Sequence, residues 1–285
     1  MHEIDKIIES TEEIKSLPSS AVKLMQMTET EKSSGDDLAK VIGMDQGLTA
    51  KVIRLVNSPF YGLTTKVASV KHAVALLGFQ CIRNIALSTE LSKSMNKAFD
   101  GYLMNKGELW RHGVAVGAIA SRIAKKKDRT LVDTAFTAGM VHDIGRILLS
   151  RFLLSSFNQA KSLVKAENIA FNEAEKRIFG MDHAEAGGKL AKKWGFPADL
   201  VDAIKCHHEP GKSLIGKKLA AIVHVADIIA INCGVGVGGD GLSYELDESA
   251  LAVLHINETE LDQYILDLQT GMKDIEDFVA HSSTN

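Results

Sequence analysis

Apolar residues recur at helical spacing along almost the whole chain, and this pattern constrains the fold more than any other feature. Between Leu48 and Val56 the apolar positions fall at i, i+4, i+7 and i+8, and Asp45 stands where a helix needs its N-cap. The same spacing follows Ser69 and stops at Gly78. No convincing run alternates between apolar and polar residues, and the chain has only four prolines. We therefore expect an all-α protein.

Composition narrows the class of protein further. Of 285 residues, 45% are hydrophobic and 24% are charged, which is the balance of a soluble globular protein and disfavours a disordered chain. The long apolar stretch 219–237 is interrupted by His224, Asp227 and Asn232, so it predicts no membrane span. Three cysteines without a C-x-x-C pair disfavour a disulfide framework. Because the N-terminus is acidic and amphipathic rather than a signal peptide, we expect a cytoplasmic protein.

Two interruptions of the helical pattern divide the chain into three predicted segments. The first interruption, 99–106, lacks a clean apolar stripe, and the second, 232–241, is rich in glycine. The glycine-rich stretch lacks the Lys-Ser/Thr of a phosphate-binding P-loop, so we interpret it as a connector. The predicted segments are an N-terminal helical subdomain (1–104), a second helical subdomain (105–235) and an acidic C-terminal helical extension (236–285).

The C-terminal extension contains one long predicted helix. Asn257 and Glu260 have the spacing of a capping box, and apolar residues then recur at alternating intervals of four and three from Leu261 to Val279. Packing of this face onto the protein's own body is the favoured interpretation, because only about three heptads are available for a coiled coil. A homodimer through the same helix is the alternative.

The ionisable pair His142-Asp143 interrupts an apolar pattern that predicts one helix from Leu131 to Leu149. Burying an imidazole and a carboxylate among apolar side chains is costly unless both groups are satisfied. A bound cation would satisfy them, and so would an internal hydrogen bond between the two residues. The local sequence leaves both interpretations open.

Other ionisable residues stand out on neighbouring predicted helices. His207-His208 is a double histidine at a helix end, and Asp227 is a lone carboxylate in a strongly apolar helix. Glu108 lies four residues before His112, on the same helix face. Imidazoles and carboxylates without thiolates suit Fe, Mn or Mg, with Ni or Zn as further options. The number of candidate ligands exceeds the needs of one ion and therefore predicts two divalent ions.

The motif VHDIGR, an upstream histidine and a downstream double histidine occur in the order H…HD…H…HH…D. This order resembles the HD superfamily of metal-dependent phosphohydrolases, and in particular the HD-GYP branch of cyclic dinucleotide phosphodiesterases. The chain lacks Gly-Tyr-Pro, and Arg146 stands where a lysine often follows the HD-x-x-G motif. The resemblance implies these metal ligands, with Glu108 as an extra carboxylate: His112, His142, Asp143, His183, His207, His208 and Asp227.

Further segments narrow this resemblance to one family. The N-terminal half contains LPSSAVKLMQM, DQGLTAKVIRLVNSPFYG and SVKHAVALLGFQCIRNIALS, and the second half contains HAEAGGKLAKKWGFPADLVDAIKCHHEP. Over residues 17–232 the chain resembles the HDOD family, whose modules occur in bacterial signal transduction. The resemblance implies two packed helical subdomains, of which the second is HD-domain-like and holds the metal site.

The resemblance implies two candidate functions, of which the first is a bacterial signalling or regulatory module with a structural or ligand-sensing metal site. In that case helical grooves around Arg54, Asn57, Tyr61 and Arg83 would bind a partner protein or a nucleotide. The alternative for these residues is that they only cap and turn the chain. Nucleic-acid binding is disfavoured, because only the short run 125–129 is strongly basic.

The second candidate function is a metal-dependent phosphohydrolase or phosphodiesterase that acts on a nucleotide or cyclic dinucleotide. Asp143 would bridge two ions, and a water between them would lose a proton near neutral pH and attack phosphorus. Arg146 or Lys205 would stabilise charge on the phosphoryl oxygens. One ion would be held by His112, His142 and Asp227, and the other by His183, His207 and His208.

Overall fold

The computed structural model describes residues 19–27, 33–58, 61–239 and 244–283. The N-terminus, for which no signal peptide is expected, lies outside the described residues, as does the end of the predicted connector. Helices make up most of the described chain. In order they are α1 (Ser19–Gln26), α2 (Gly35–Gly43), α3 (Gln46–Val56), α4 (Val70–Leu77), α5 (Phe79–Met95), α6 (Glu108–Lys127), α7 (Val132–Val141), α8 (Arg146–Glu167), α9 (Phe171–Phe179), α10 (His183–Lys193), α11 (Ala198–Cys206), α12 (Lys217–Asn232), α13 (Glu248–Leu254) and α14 (Glu258–Ser283).

The predicted all-α class is confirmed. The described residues form no β-strand, and an isolated bridge joins Phe99 to Met104. The local helix signals are confirmed as well, since Asp45 Oδ1 accepts a hydrogen bond from the Leu48 backbone at 3.0 Å and Ser69 caps α4. Among the described helices, none is long and apolar enough to cross a membrane.

The chain forms two compact units, one built around Met95–Thr270 and the other around Ser16–Ser94 with Gly271–Asn285. All of the predicted metal ligands belong to the first, which we call the site unit. Its most deeply buried helix is α12, which is enclosed from Leu219 to Ile231. A helix of this kind carries apolar residues on all sides, and Asp227 departs from that pattern.

Close packing of α6 against α7 brings candidate ligands on α6 and in the turn after α7 together. A Cβ on Gly139 of α7 would lie 2.7 Å from the Cα of Gly117 on α6. Backbones that approach this closely leave room for glycine only. As a result, the His112 and His142 rings meet in the interior with their centroids 5.2 Å apart.

The continuous helix predicted from Leu131 to Leu149 is wrong, because the chain turns at the His142-Asp143 pair. α7 ends at Val141, α8 begins at Arg146, and the turn between them is closed by i→i−3 bonds. One of these bonds runs from the Arg146 N–H to the Asp143 carbonyl at 3.0 Å. The tighter hydrogen-bond rings turn the two ionisable side chains away from the face that a straight helix would give them.

Gly145 supplies the steric reason for this turn. Its backbone packs directly on the start of α10, where a Cβ would overlap the His183 carbonyl oxygen and lie 2.6 Å from the Gly187 nitrogen. Close contact with α10 offsets the helical hydrogen bonds that the turn gives up. The turn and the first residue of α10 are therefore held side by side.

Asn57 has a structural role within the second unit. Its side-chain amide donates to the carbonyls of Ile53 at 2.9 Å and Val67 at 2.7 Å, and its Oδ1 accepts from the Val67 N–H at 2.8 Å. The side chain thus ties the end of α3 to a later loop. These contacts agree with the interpretation in which Asn57 caps and turns the chain, and partner binding in this region stays a prediction.

α14 begins with the predicted capping box, in which Asn257 Oδ1 accepts from the Glu260 N–H at 2.9 Å. Lys127 at the end of α6 donates to Glu260 at 2.8 Å, and Arg122 pairs with Asp267 at 3.1 Å. The first turns of α14 therefore lie against α6 of the same chain, in line with the favoured interpretation. The homodimer stays a prediction.

Candidate metal centre

The seven residues of the H…HD…H…HH…D order come together in one interior space of the site unit. α6 and α12 each contribute one residue, the turn after α7 contributes two, α10 begins with one, and two follow α11. Helix ends and turns allow these side chains to meet across a space that no single helix face spans. All are buried except the half-buried His208: His112, His142, Asp143, His183, His207, His208 and Asp227.

His112, His142 and Asp227 form what we call the first ligand group. One donor atom from each lies within 4.8 Å of the other two. His112 Nε2 lies 3.0 Å and His142 Nε2 lies 3.5 Å from Asp227 Oδ1. Two imidazole nitrogens and a carboxylate oxygen form a donor set that suits a divalent transition metal.

His183, His207 and His208 form the second ligand group, again with one donor atom from each within 4.8 Å of the others. The Nε2 atoms of His183 and His208 are 2.7 Å apart. The rings of His207 and His208 have centroids 4.0 Å apart, so both members of the double histidine serve the same group. A group of three imidazoles suits Zn, Ni or Fe.

Asp143 lies between the two ligand groups. Its Oδ1 is 3.3 Å from His183 Nε2 and 3.8 Å from His207 Nε2. Its Oδ2 is 3.6 Å from His142 Nε2 and 3.8 Å from His112 Nε2. Oδ1 accepts no hydrogen bond from a described residue and is available to the second ligand group. Oδ2 faces the first ligand group and also lies 2.7 Å from Arg146 Nε.

The ring nitrogens that face away from the centre fix three of the imidazoles. Each of these rings has its Nδ1 at hydrogen-bond distance from a backbone carbonyl, which assigns the proton to Nδ1 and leaves Nε2 as the ligand atom. The pairs are His112–Val235 (2.8 Å), His142–Gly139 (2.7 Å) and His207–Ile204 (2.7 Å).

His183 is held instead by Glu175, a residue of α9 that the sequence did not single out. Its Nδ1 lies 2.7 Å from Glu175 Oε2, which also accepts the His183 backbone N–H at 2.9 Å. The other carboxylate oxygen accepts the Tyr102 hydroxyl at 2.5 Å. Nothing in the local pattern of α9 marks Glu175 as an interior residue, so only the fold identifies it.

Arg146 lies beside Asp143 rather than in the open. Its Nε is 2.7 Å from Asp143 Oδ2, and its guanidinium carbon is 4.9 Å from the centroid of the Tyr102 ring. Only 4% of Arg146 is exposed. The guanidinium therefore balances part of the negative charge at the centre.

Three further ionisable residues lie outside the two ligand groups: Glu108, Lys205 and His224. The Glu108 carboxylate, at the start of α6, accepts hydrogen bonds from the preceding loop. Lys205 is exposed on α11. His224 has its Nδ1 2.8 Å from the His207 carbonyl, and its Nε2 accepts the Asp247 N–H at 2.8 Å. The roles expected of Glu108 and Lys205 stay predictions, and His224 supports the backbone beside a ligand.

The two carboxylates are ionised. Burial would raise the pKa of Asp143, but Arg146 and the surrounding imidazoles hold that pKa well below its usual range. Burial acts in the same way on Asp227, and His142 and His112 hold its pKa well below the usual range. A metal ligand must be deprotonated, and both side chains meet that requirement.

The imidazoles differ in how they hold a proton. Burial would lower the pKa of His142, but the carboxylates of Asp143 and Asp227 outweigh it and raise the pKa to about 9. Burial and the charge on His142 lower the pKa of His207 to about 3. Burial also lowers the pKa of His208 well below its usual range. In the metal-free protein, His142 therefore carries a proton while His207 and His208 offer lone pairs.

Metal binding is expected to release at least one proton per chain near pH 7.5, because His142 must lose its proton before Nε2 binds an ion and because Glu175 and Asp143 raise the pKa of His183 as well. The sign follows from the raised pKa: the ring is protonated below about 9, so metal affinity should increase with pH up to that value. Calorimetric titration in two buffers of different ionisation enthalpy measures the release. Equal observed enthalpies in the two buffers would contradict a protonated His142.

A cavity of about 450 Å³ opens beside the second ligand group. His208 and Tyr244 line it, and their rings stack with centroids 4.8 Å apart. Lys176 also lines it and pairs with Asp182 at 3.2 Å and Glu209 at 3.1 Å. A small organic ligand fits this volume. Since His208 is the half-buried member of the cluster, the cavity connects the centre with solvent.

Two comparisons place the chain among known proteins. Residues 14–210 match the HDOD domain family. An uncharacterised protein of Treponema pallidum (strain Nichols) is 22% identical over 203 residues, which are 71% of this chain and 39% of that relative. The chain therefore spans well under half the length of this curated relative.

Two solved structures share the fold. One, from Shewanella amazonensis SB2B and provisionally named a phosphohydrolase, has a TM-score of 0.76 and 23% identity, with 98% of both chains covered. The other, from Marinobacter aquaeolei VT8 and provisionally named a signal transduction protein, has a TM-score of 0.76 and 21% identity over 100% of this chain and 62% of that one. At such identities the likeness concerns the fold alone. Because the family match covers more than half of the sequence, including VHDIGR and the double histidine, the chain belongs to the HDOD family.

Proposed function

We propose that this protein is a metal-dependent phosphohydrolase of a bacterial signalling system, with one divalent ion at each ligand group and Asp143 between them. One observation carries the proposal. His142 Nε2, His207 Nε2 and Asp143 Oδ1 are buried and have no hydrogen-bond partner among the described residues, whereas Asp143 Oδ2 has Arg146 Nε beside it at 2.7 Å. Buried polar atoms without partners are costly. Divalent cations that accept imidazole ligands, such as Fe or Mn, would satisfy these atoms together.

Two ions held there would polarise a phosphoester and lower the pKa of a water molecule that attacks phosphorus. The residues of the chain would supply position and charge. Asp143 would hold both ions through its two oxygens, and Arg146 would balance the charge of that carboxylate. The cavity beside His208 would admit the phosphoester, and the face of Tyr244 would provide a surface for an aromatic base.

A regulatory module without turnover is the second candidate, and the ion pair between Arg146 and Asp143 favours it. The guanidinium already neutralises the carboxylate that would join the two ions. In that case a partner protein or a nucleotide would sense whether the centre is occupied. The signalling name of the Marinobacter structure supports a role in signal transduction for either candidate.

The protein loaded with Mn or Fe(II) is expected to hydrolyse at least one phosphoester, at about 1 s⁻¹ or faster for a well-matched substrate. The panel should contain p-nitrophenyl phosphate, bis-p-nitrophenyl phosphate, a nucleoside monophosphate and a cyclic dinucleotide. Product release is followed by absorbance or chromatography. Elemental analysis of the same samples gives the number of ions per chain.

The matched control is His72→Gln, because His72 is an exposed histidine of the second unit. This variant should keep both its metal and its activity. Two bound ions without turnover on any substrate would reject the enzyme and favour the regulatory module. A protein that takes up no ions would contradict both candidates.

A further inference from the structure

We propose that Glu175 is a positioning residue for the second ligand group and that Tyr102 holds it in place. In this role Glu175 fixes the His183 ring with Nε2 toward the centre and makes that nitrogen a stronger ligand. The inference rests on the proposed function, because it concerns affinity for the ion of the second ligand group.

Glu175 is enclosed completely, with no part of it exposed. Three donors reach its carboxylate: the Tyr102 hydroxyl at 2.5 Å, the His183 Nδ1–H at 2.7 Å and the His183 backbone N–H at 2.9 Å. A buried carboxylate is costly unless hydrogen bonds satisfy it. Two of the three bonds go to one residue, so Glu175 fixes both the ring and the backbone of His183.

The acceptor distinguishes His183 from the other oriented histidines. His112, His142 and His207 have their Nδ1 atoms at backbone carbonyls, whereas His183 has its Nδ1 at a carboxylate. A charged acceptor raises the basicity of the opposite ring nitrogen, and partners of this kind typically change metal affinity 10–100-fold. The direct contact of Glu175 is therefore with a member of the second ligand group, and its main effect is expected there.

Tyr102 completes the arrangement from the other side. It is fully buried, and burial together with the charge of Glu175 raises its pKa well above the usual range. The hydroxyl therefore stays protonated and donates a hydrogen bond to Glu175. Its ring lies under the Arg146 guanidinium, which pairs with Asp143. A buried chain of contacts thus runs from Asp143 through Arg146, Tyr102 and Glu175 to His183 and returns to Asp143.

The test is a titration of the metal-free full chain with Co²⁺, followed by visible absorption and by competition with a chelator. Glu175→Gln keeps the shape of the side chain and an acceptor oxygen but removes the charge. We expect it to weaken cobalt binding at the second ligand group by about 10–100-fold. Tyr102→Phe keeps the ring under Arg146 and removes one donor, so its loss should be smaller.

To distinguish the two ligand groups, Glu175→Gln is also introduced into two variants, each of which lacks one histidine of one group. In His112→Gln the second ligand group keeps all three imidazoles, so the Glu175→Gln loss should appear in full. In His208→Gln the remaining strong site is the first ligand group, and Glu175→Gln should change its affinity by less than about 3-fold, within the context dependence of such effects. Urea unfolding of each metal-free variant shows whether it is folded.

A second readout does not depend on metal. In the ¹⁵N spectrum of histidine-labelled metal-free protein, recorded at a pH at which the ring is neutral, His183 should be the tautomer with its proton on Nδ1, and Glu175→Leu should lose that preference. Equal cobalt affinities for wild type and Glu175→Gln would overturn the inference and leave the proposed function intact. Equal losses in both backgrounds would also overturn it, because they indicate a general structural role. A wild-type chain that binds no cobalt would overturn the proposed function and the inference with it.

Discussion

Asp143→Asn is expected to remove both ions from the protein and to abolish phosphoester hydrolysis. Oδ1 of Asp143 lies toward the second ligand group and Oδ2 toward the first, so a neutral amide weakens both at once. We expect the metal affinity of each ligand group to fall by more than about 100-fold. This is more than the 10–100-fold loss that typically follows removal of a residue that only hydrogen-bonds to a ligand. Elemental analysis after dialysis should then find close to no metal, where the wild type holds about two ions per chain.

The same substitution leaves Arg146 buried without its carboxylate. Loss of one partner from a buried ion pair costs about 3–5 kcal/mol, so Asp143→Asn should also lower the free energy of unfolding by that amount. Asp143→Asn with Arg146→Met should regain most of this stability while still binding no metal. The double variant therefore separates folding from ligation. Two ions in a folded Asp143→Asn protein would exclude Asp143 from the centre.

Removal of metal by a chelator is expected to lower the melting temperature of the protein by roughly 10–20 °C. An ion at 100 times its Kd stabilises the folded state by about 2.7 kcal/mol, and two ions contribute about twice that. For a unit of this size, each kcal/mol shifts the melting temperature by about 2–4 °C. Differential scanning calorimetry of loaded and chelated samples measures the change.

Asp143→Asn serves as the matched control for the chelator. It keeps the six other ligands but should hold no ions, so chelator should leave its melting temperature unchanged. A similar decrease in both proteins would assign the effect to the chelator itself. An unchanged melting temperature in a wild type known to carry two ions would contradict a stabilising centre.

Helix starts and stops were predictable because their signals are local. Asp45, Ser69 and Asn257 each accept a backbone N–H within a few residues, as their spacing predicts. The turn at residues 142–145 was not predictable in this way. It depends on the contact between Gly145 and α10, a helix that comes much later in the chain.

The seven candidate ligands were open to prediction because several are out of character in apolar helices and because their order resembles a known family. Glu175 and Tyr102 had neither advantage. α9 carries Glu173 and Glu175 two residues apart, and nothing in the sequence indicates which of the two is buried. Only the contacts of Glu175 with His183 and Tyr102 distinguish an interior carboxylate from an ordinary surface one.

The contact at Gly145 bears on how an intact centre of this type is recognised in related chains. A histidine ligand has substitutes, since an aspartate or a water molecule also donates an oxygen to a metal. Gly145 has no substitute, because any side chain at this position would overlap the His183 carbonyl oxygen. A relative with a larger residue there must move α10 away from the turn, whichever ligands it keeps. We therefore expect glycine at this position in every relative that keeps the proposed centre in this arrangement.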